Sequence, residues 1–125
     1  MKILVVDDDA MVLESCRRIL EEEKMIVHSA DSADQAMAVM ETEAPFDLVL
    51  TDIKMPGKDG FQLLCRAREK FSGTAGLMMT GYLIPETIQK GIRMGADGFV
   101  AKPFTPEELI ESVKRAVAAV KGKKG

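Results

Sequence analysis

The sequence has no tryptophan, one tyrosine, one histidine and two cysteines in 125 residues. Two cysteines cannot build a disulfide framework or a thiolate zinc centre, so a reducing compartment is expected. One histidine, His28, excludes a His-rich metal site and any relay between histidines. No charge of one sign dominates: 17 basic and 20 acidic residues leave a net charge of −3. That balance argues against direct nucleic-acid binding, which calls for a basic surface. No apolar run approaches the roughly 18–20 residues that would cross a bilayer. The opening Met1-Lys2-Ile3-Leu4-Val5-Val6 begins like a secretory leader, but Asp7-Asp8-Asp9 stands where its apolar region should continue. A cytoplasmic protein with no membrane partner is the expectation.

What the chain does have is the composition of one globular domain, with 46% apolar and 30% charged residues. A chain of this length buries roughly 65–70% of the surface it exposes when unfolded, so a sizeable core is possible. Strand-like and helix-like segments alternate at a period of about 25 residues. Short apolar runs at 3–6, 26–30, 46–50, 77–79 and 98–101 are too short for helices. They are rich in Val, Ile and Leu, as in strands covered on both faces. Between them, Val12, Leu13, Cys16, Ile19 and Leu20 mark one helical face, and Ala33, Ala36, Met37 and Met40 a second. Phe61, Leu64, Cys65 and Arg68 suggest a third helix, and Ile84, Ile88 and Ile92 a fourth, with Pro85 in its first turn. Thr105-Pro106-Glu107-Glu108 is a capping box with Pro at the first helical position, leading into Leu109, Val113, Ala116, Val117 and Val120. Ser32 and Gln35 have the same box spacing. Both cysteines fall on apolar faces and read as small core residues. Residues 1–120 form the expected domain, and 121–125 a frayed tail or the start of a linker.

Five βα units imply a doubly wound, five-stranded parallel sheet in flavodoxin-like order 2-1-3-4-5. Sites in such α/β folds lie beyond the carboxyl ends of the strands. That rule selects Asp7 and Asp8 after strand 1, Asp52 after strand 3, Thr80 at the end of strand 4 and Lys102 after strand 5. Strands 1 and 3 are neighbours in this order, so the three carboxylates converge. Two like charges 4 Å apart cost about 4 kcal/mol at an effective dielectric near 20, so a proton or a cation must relieve them. Hard oxygen ligands suit Mg²⁺. An acidic pocket with one Lys and one hydroxyl suits phosphoryl transfer to an aspartate. Asp9, immediately before a helix, reads as its cap.

Four motifs carry a resemblance that covers essentially the whole chain. They are Ile3-Leu4-Val5-Val6-Asp7-Asp8-Asp9, the stretch from Asp47 through Asp52-Ile53-Lys54-Met55-Pro56-Gly57-Lys58-Asp59-Gly60, Met79-Thr80-Gly81, and Gly95-Ala96-Asp97-Gly98-Phe99-Val100-Ala101-Lys102-Pro103-Phe104. The sequence resembles the receiver domain of two-component response regulators. The resemblance implies that Asp52 accepts a phosphoryl group and that Asp7, Asp8, Asp52 and the backbone carbonyl of Lys54 hold Mg²⁺. It implies that Lys102 pairs with the carboxylate and then with the phosphoryl group, and that Thr80 donates its hydroxyl to it. It further implies that Gly81 keeps the pocket open, that the Lys102–Pro103 bond is cis, and that Phe99 is a switch aromatic. The responding surface would be helix 4, strand 5 and helix 5. The implied partners are a histidine kinase or a histidine phosphotransfer protein, and an output domain or target protein. The domain would not act as an enzyme on an external substrate, though it would promote its own phosphorylation and dephosphorylation.

Two rivals stand beside this reading. In a haloacid-dehalogenase-like phosphatase, Asp7 would be the nucleophile and Asp9 the general acid, but no Asp follows Lys102. An inactive receiver could serve as an adaptor, against which stands the complete acceptor set. Two departures from the family pattern carry expectations of their own. Gly73-Thr74-Ala75-Gly76 replaces a common Pro before strand 4, and predicts a loose approach. Gly98 and Ser112 stand where winged-helix regulators of the phosphate-response type carry dimer ion-pair residues, so no dimer of that kind is expected. Lys54 and Tyr82 flank the pocket and would tune the lifetime of the phosphate.

Overall fold

The central strands are buried along almost their whole length, as all-parallel sheets with helices on both faces require. The computed structural model describes residues 1–53 and 59–124, with side chains as far as residue 122. In chain order the elements are β1 (Lys2–Val6), α1 (Ala10–Glu22), β2 (Ile26–Ala30), α2 (Ala33–Glu43) and β3 (Leu48–Asp52). They continue as α3 (Gly60–Lys70), β4 (Ala75–Thr80), α4 (Pro85–Met94), β5 (Gly98–Ala101) and α5 (Pro106–Lys124). The strands form one parallel sheet in the order β2-β1-β3-β4-β5. This is the expected doubly wound arrangement, with the crossover point between β1 and β3.

Side chains alternate across a strand, so each strand feeds two cores. On one face Ile3, Val5, Leu48, Leu50, Leu77, Met79 and Val100 pack against Cys16 and Leu20 of α1 and Leu109, Val113, Ala116 and Val117 of α5. On the other, Leu4, Val6 and Val49 meet Ala33, Ala36 and Met40 of α2 and Leu63 of α3. Further along that second face, Met78 packs with Ile53, Phe61 and Leu64, and Met94 and Phe99 lean on them.

Caps fix where helices begin. The Asp9 side chain accepts the Met11 N–H at 2.9 Å, as expected of a cap. Ser32 accepts from Gln35 N, while Gln35 Oε1 reaches back to the Asp31 N–H, one residue before the usual capping-box donor. Thr105 and Glu108 complete the reciprocal box, at 2.9 and 3.1 Å.

Five local expectations are corrected. Strand 3 runs to Asp52, which terminates the strand instead of following it, while Thr80 ends strand 4 as expected. Ala75 and Gly76 are buried strand residues, and Thr74 Oγ1 donates to Phe46 O, so the approach to β4 is anchored. Ile84 and Ile92 do not face the core: they are 46% and 60% exposed, and Gly91 is the buried residue of α4. Cys65 is half-buried beside Glu69, whereas Cys16 lies in the core. The α5 helix continues to Lys124, through most of the expected tail. Met55-Pro56-Gly57, whose residue types predict a turn, lies outside the described residues, as does Gly125. His28, half-buried on β2, packs edge-to-face on Phe46 with ring centroids 5.4 Å apart.

Candidate functional site

Strand alternation builds the site. Ile3, Val5 and Asp7 follow one face in steps of two, as do Leu48, Leu50 and Asp52, and Val100 and Lys102. Three apolar rows therefore end in two carboxylates and an ammonium at the same rim of the sheet. Thr80 continues the opposite row, two residues beyond Met78. Backbone pairing carries past the strand ends: Asp7 N donates to Ala30 O at 3.2 Å and Lys102 N to Thr80 O at 2.8 Å. These bonds hold the rim residues at the height of the sheet.

Lys102 Nζ bridges the carboxylates, donating to Asp7 Oδ2 at 2.9 Å and to Asp52 Oδ2 at 3.0 Å. Asp7 is buried, Asp52 is 19% exposed at its side chain, and Asp8 is exposed. Asp7, Asp8 and Asp52 each offer an oxygen, all within 4.8 Å of one another. Three hard oxygens at that separation fit a magnesium ion and do not fit a soft-ligand metal. The backbone carbonyl of Lys54, the fourth expected ligand, lies outside the described residues.

Burial pushes the Asp7 carboxyl up from its ordinary value, and the Asp52 charge adds to it. The Lys102 ammonium and the Asp9 N–H, which donates to Asp7 Oδ1 at 2.9 Å, only partly offset that. Burial pulls the Lys102 ammonium down, but its hydrogen bonds to Asp7 and Asp52 and their charges outweigh it, so its pKa is raised. The pair is thus held charged at the lysine, with Asp7 under strain as an anion.

Thr80 is buried, and its Oγ1 accepts the Tyr82 N–H at 2.9 Å. An oxygen engaged this way can still donate its own hydrogen. A cleft opens over Asp52, walled by Ile53, Thr80, Gly81, Tyr82, Ile84 and Lys102. Gly81 lies on its rim, where an added Cβ would meet nothing within 4 Å. The Lys102–Pro103 peptide is cis, as is Ala44–Pro45, which sequence reasoning did not single out. Phe99 is half-buried on the α4 side of the sheet.

The expected set Asp7, Asp8, Asp52, Thr80 and Lys102 therefore meets at one rim. Asp9 does not join it, since its side chain caps α1, which removes the general acid that a phosphatase of the haloacid-dehalogenase kind needs. Sequence reasoning missed two features. Ile53 and Ile84 give the cleft an apolar wall, a role that only the loop geometry reveals. Gly60, the first residue of α3, lies so close to β3 that a Cβ there would overlap the Asp52 carbonyl oxygen, while its N–H donates to Ile53 O at 2.9 Å. The Asp59-Gly60 pair was the available signal, a cap followed by a residue without a side chain.

Comparison with known proteins agrees with this arrangement. The transcriptional regulatory protein ResD of Bacillus subtilis is 38% identical over 113 residues, which is 90% of this chain but 46% of ResD, so the chain spans less than half of that relative. The chemotaxis protein CheY of Halobacterium salinarum is 31% identical, covering 94% of this chain and 98% of its own length. The crystal structure of a CheY-like receiver domain protein from Methanospirillum hungatei superposes with a TM-score of 0.89 at 36% identity, covering 99% and 98% of the two chains. The family model for the response regulator receiver domain matches residues 3–114, a span that holds β2 to β5 whole, β1 after Lys2 and all five rim residues, and the chain belongs to that family.

Proposed function

We propose that the chain takes a phosphoryl group onto Asp52 from a histidine kinase or a histidine phosphotransfer protein in the cytoplasm. The observation that carries this reading is the Lys102 ammonium bonded to both Asp7 and Asp52 inside a three-carboxylate cluster. Asp7, Asp8 and Asp52, with the carbonyl of Lys54, would hold Mg²⁺. Bound there, the ion would neutralise charge on the phosphoryl oxygens, which is most of what this chemistry needs.

Asp52 is the nucleophile. One of its carboxylate oxygens forms a bond to phosphorus while the bond from phosphorus to the donor's imidazole nitrogen breaks, and the electron pair stays on that nitrogen. The product is an acyl phosphate, and attack of water on phosphorus later returns the carboxylate and inorganic phosphate. Lys102 supports both states, first pairing with the carboxylates and then with a phosphoryl oxygen. Thr80 donates its hydroxyl to another phosphoryl oxygen. Gly81 leaves the donor a path to Asp52, and Lys54 and Tyr82 tune how long the phosphate lasts. The domain promotes only its own phosphorylation and dephosphorylation.

The phosphoryl group adds about −1.5 to −2 charges at the rim. Thr80 and Lys102 can satisfy it only in one arrangement, and that differential contact biases α4, β5 and α5 with Phe99 as the moving ring. An output domain or a separate target protein reads that surface.

Incubation with acetyl phosphate and Mg²⁺ tests the assignment. Intact-mass spectrometry is expected to show one added phosphate on the wild type and none on Asp52→Asn. Equal labelling of the two proteins would overturn it, and so would labelling mapped to Asp7.

A further inference from the structure

The α4 helix is loosely held. Its N-cap, Ile84, makes no side-chain cap bond, and Gly91 is its buried residue. Gly91 sits in a helix interior, where glycine is a poor choice against alanine. The reason lies across the interface. A Cβ built at Gly91 would stand 2.6 Å from Phe99 Cε1, 2.9 Å from Phe99 Cζ and 3.2 Å from Met78 Sδ. The edge of the Phe99 ring thus occupies the notch that the missing side chain leaves. Apart from this contact α4 leans on α3, where Lys90 Nζ lies 4.6 Å from the centroid of the Phe61 ring.

The notch is in line with the site. Met78 pairs with Phe99 and Thr80 with Ala101 in the β4–β5 register. By strand alternation Met78, Thr80 and Phe99 share the α4 face of the sheet, opposite to the face that Asp52 and Lys102 continue. Thr80 is therefore the rim residue from which a contiguous row, Met78 and then the ring, leads to α4.

We propose that Gly91 is a fitted notch that couples the Phe99 ring to α4, so that the size of residue 91 decides whether a change at Thr80 reaches that helix. This rests on the phosphoacceptor reading for its trigger, but the notch itself does not. The three nearest atoms that a Cβ at 91 would meet all belong to the ends of side chains, so Gly91→Ala is expected to preserve the fold and evict the ring.

Two-dimensional NMR with beryllofluoride and Mg²⁺, a phosphoryl mimic, separates the cases. In metal-free protein, Gly91→Ala is expected to move the Phe99 ring resonances; unmoved resonances would overturn the notch. On adding the mimic, Gly91→Ala is expected to show wild-type shifts at Asp52 and Thr80 but at least threefold smaller shifts over 85–94. A full α4 response in this variant would overturn the coupling. In a Phe99→Leu background, adding Gly91→Ala is expected to leave the α4 response where Phe99→Leu alone puts it. A further loss of the same size would show that residue 91 acts without the ring, and would also overturn it. If the wild type shows no shift at Asp52 and Thr80, the phosphoacceptor reading and the trigger it supplies fall, and the ring resonances alone still decide the notch.

Discussion

Asp7 is the residue whose chemistry is most at odds with its place. It is buried, it faces Asp52, and its carboxyl is pushed above its ordinary value of 3.8 by burial first. A raised folded-state value means that the folded protein binds this proton more tightly than the unfolded chain does. Stability is therefore lost as pH rises from the unfolded value of 3.8 through the folded one, and is fully regained only below 3.8. Asp7→Asn removes that cost. In metal-free buffer at pH 7 it is expected to raise stability, a gain that vanishes near pH 3 in urea denaturation. Lys102 has the same sign in a higher pH range. Its raised pKa stabilises the fold below the ordinary 10.5, and that contribution goes as pH rises through the folded value. The two cysteines make a simpler contrast. Burial and the neighbouring Asp7 charge push the Cys16 thiol up to about 12, and Cys65 is half-buried. Iodoacetamide at pH 8 is expected to alkylate Cys65 in the native protein, and Cys16 only in denaturant, as read by peptide mass.

Among the elements, the turns carry information that periodicity does not. The chain leaves α1 through Lys24, whose φ of 64° is left-handed, a region that favours glycine. Lys24→Gly is expected to gain about 0.5–1 kcal/mol in urea denaturation, since it relieves that backbone without touching the core. The strands and four of the helical faces were legible in the sequence because burial imposes a period of 2 or 3.6 on apolar residues. The α4 helix was legible as a helix but not by face. Its three isoleucines at spacing 4 look like a core stripe, yet Ile84 and Ile92 are exposed and a glycine takes the inward position. Periodicity counts apolar side chains, and a ring arriving from β5 into an empty position leaves no such mark. The rim residues were legible for the opposite reason. Each sits one or two steps past a short apolar run, where neither strand packing nor helix formation explains an Asp, Thr or Lys. The apolar wall of the cleft was not, because nothing in the spacing of Ile53 and Ile84 brings the two to one cleft beside Asp52.

Taken as a whole, the molecule fastens its sheet at the end opposite the site with two similar brackets. Asp47 accepts the Lys2 N–H at 2.7 Å, and its own N–H donates to Lys2 O at 2.8 Å. Asp97 accepts the Gly76 N–H at 2.9 Å, and its own N–H donates to Gly76 O at 2.7 Å. The first fixes β3 on β1, the second β5 on β4. Arg68 extends the second bracket to α3: its Nη1 donates to Gly95 O at 3.1 Å and lies 3.6 Å from Asp97 Oδ1. Removing the Asp97 carboxylate strands a buried N–H, which costs about 1–3 kcal/mol. Asp97→Ala is expected to lose about 2 kcal/mol in urea denaturation, and Arg68→Ala less than about 1, because its side chain is half-exposed. An equal loss in the two variants would show that the ion pair, and not the backbone bracket, fastens β5. The brackets thus hold one end of the sheet, and Lys102 holds the repelling carboxylates side by side at the other.

The scarcity of aromatic residues has a practical consequence at that same end. Tyr82 is the only tyrosine, there is no tryptophan, and the ring stands 63% exposed on the wall of the Asp52 cleft. Excited beyond the phenylalanine absorption, the chain therefore fluoresces from one ring beside the proposed acceptor, so the protein arrives with its own optical probe and needs no label.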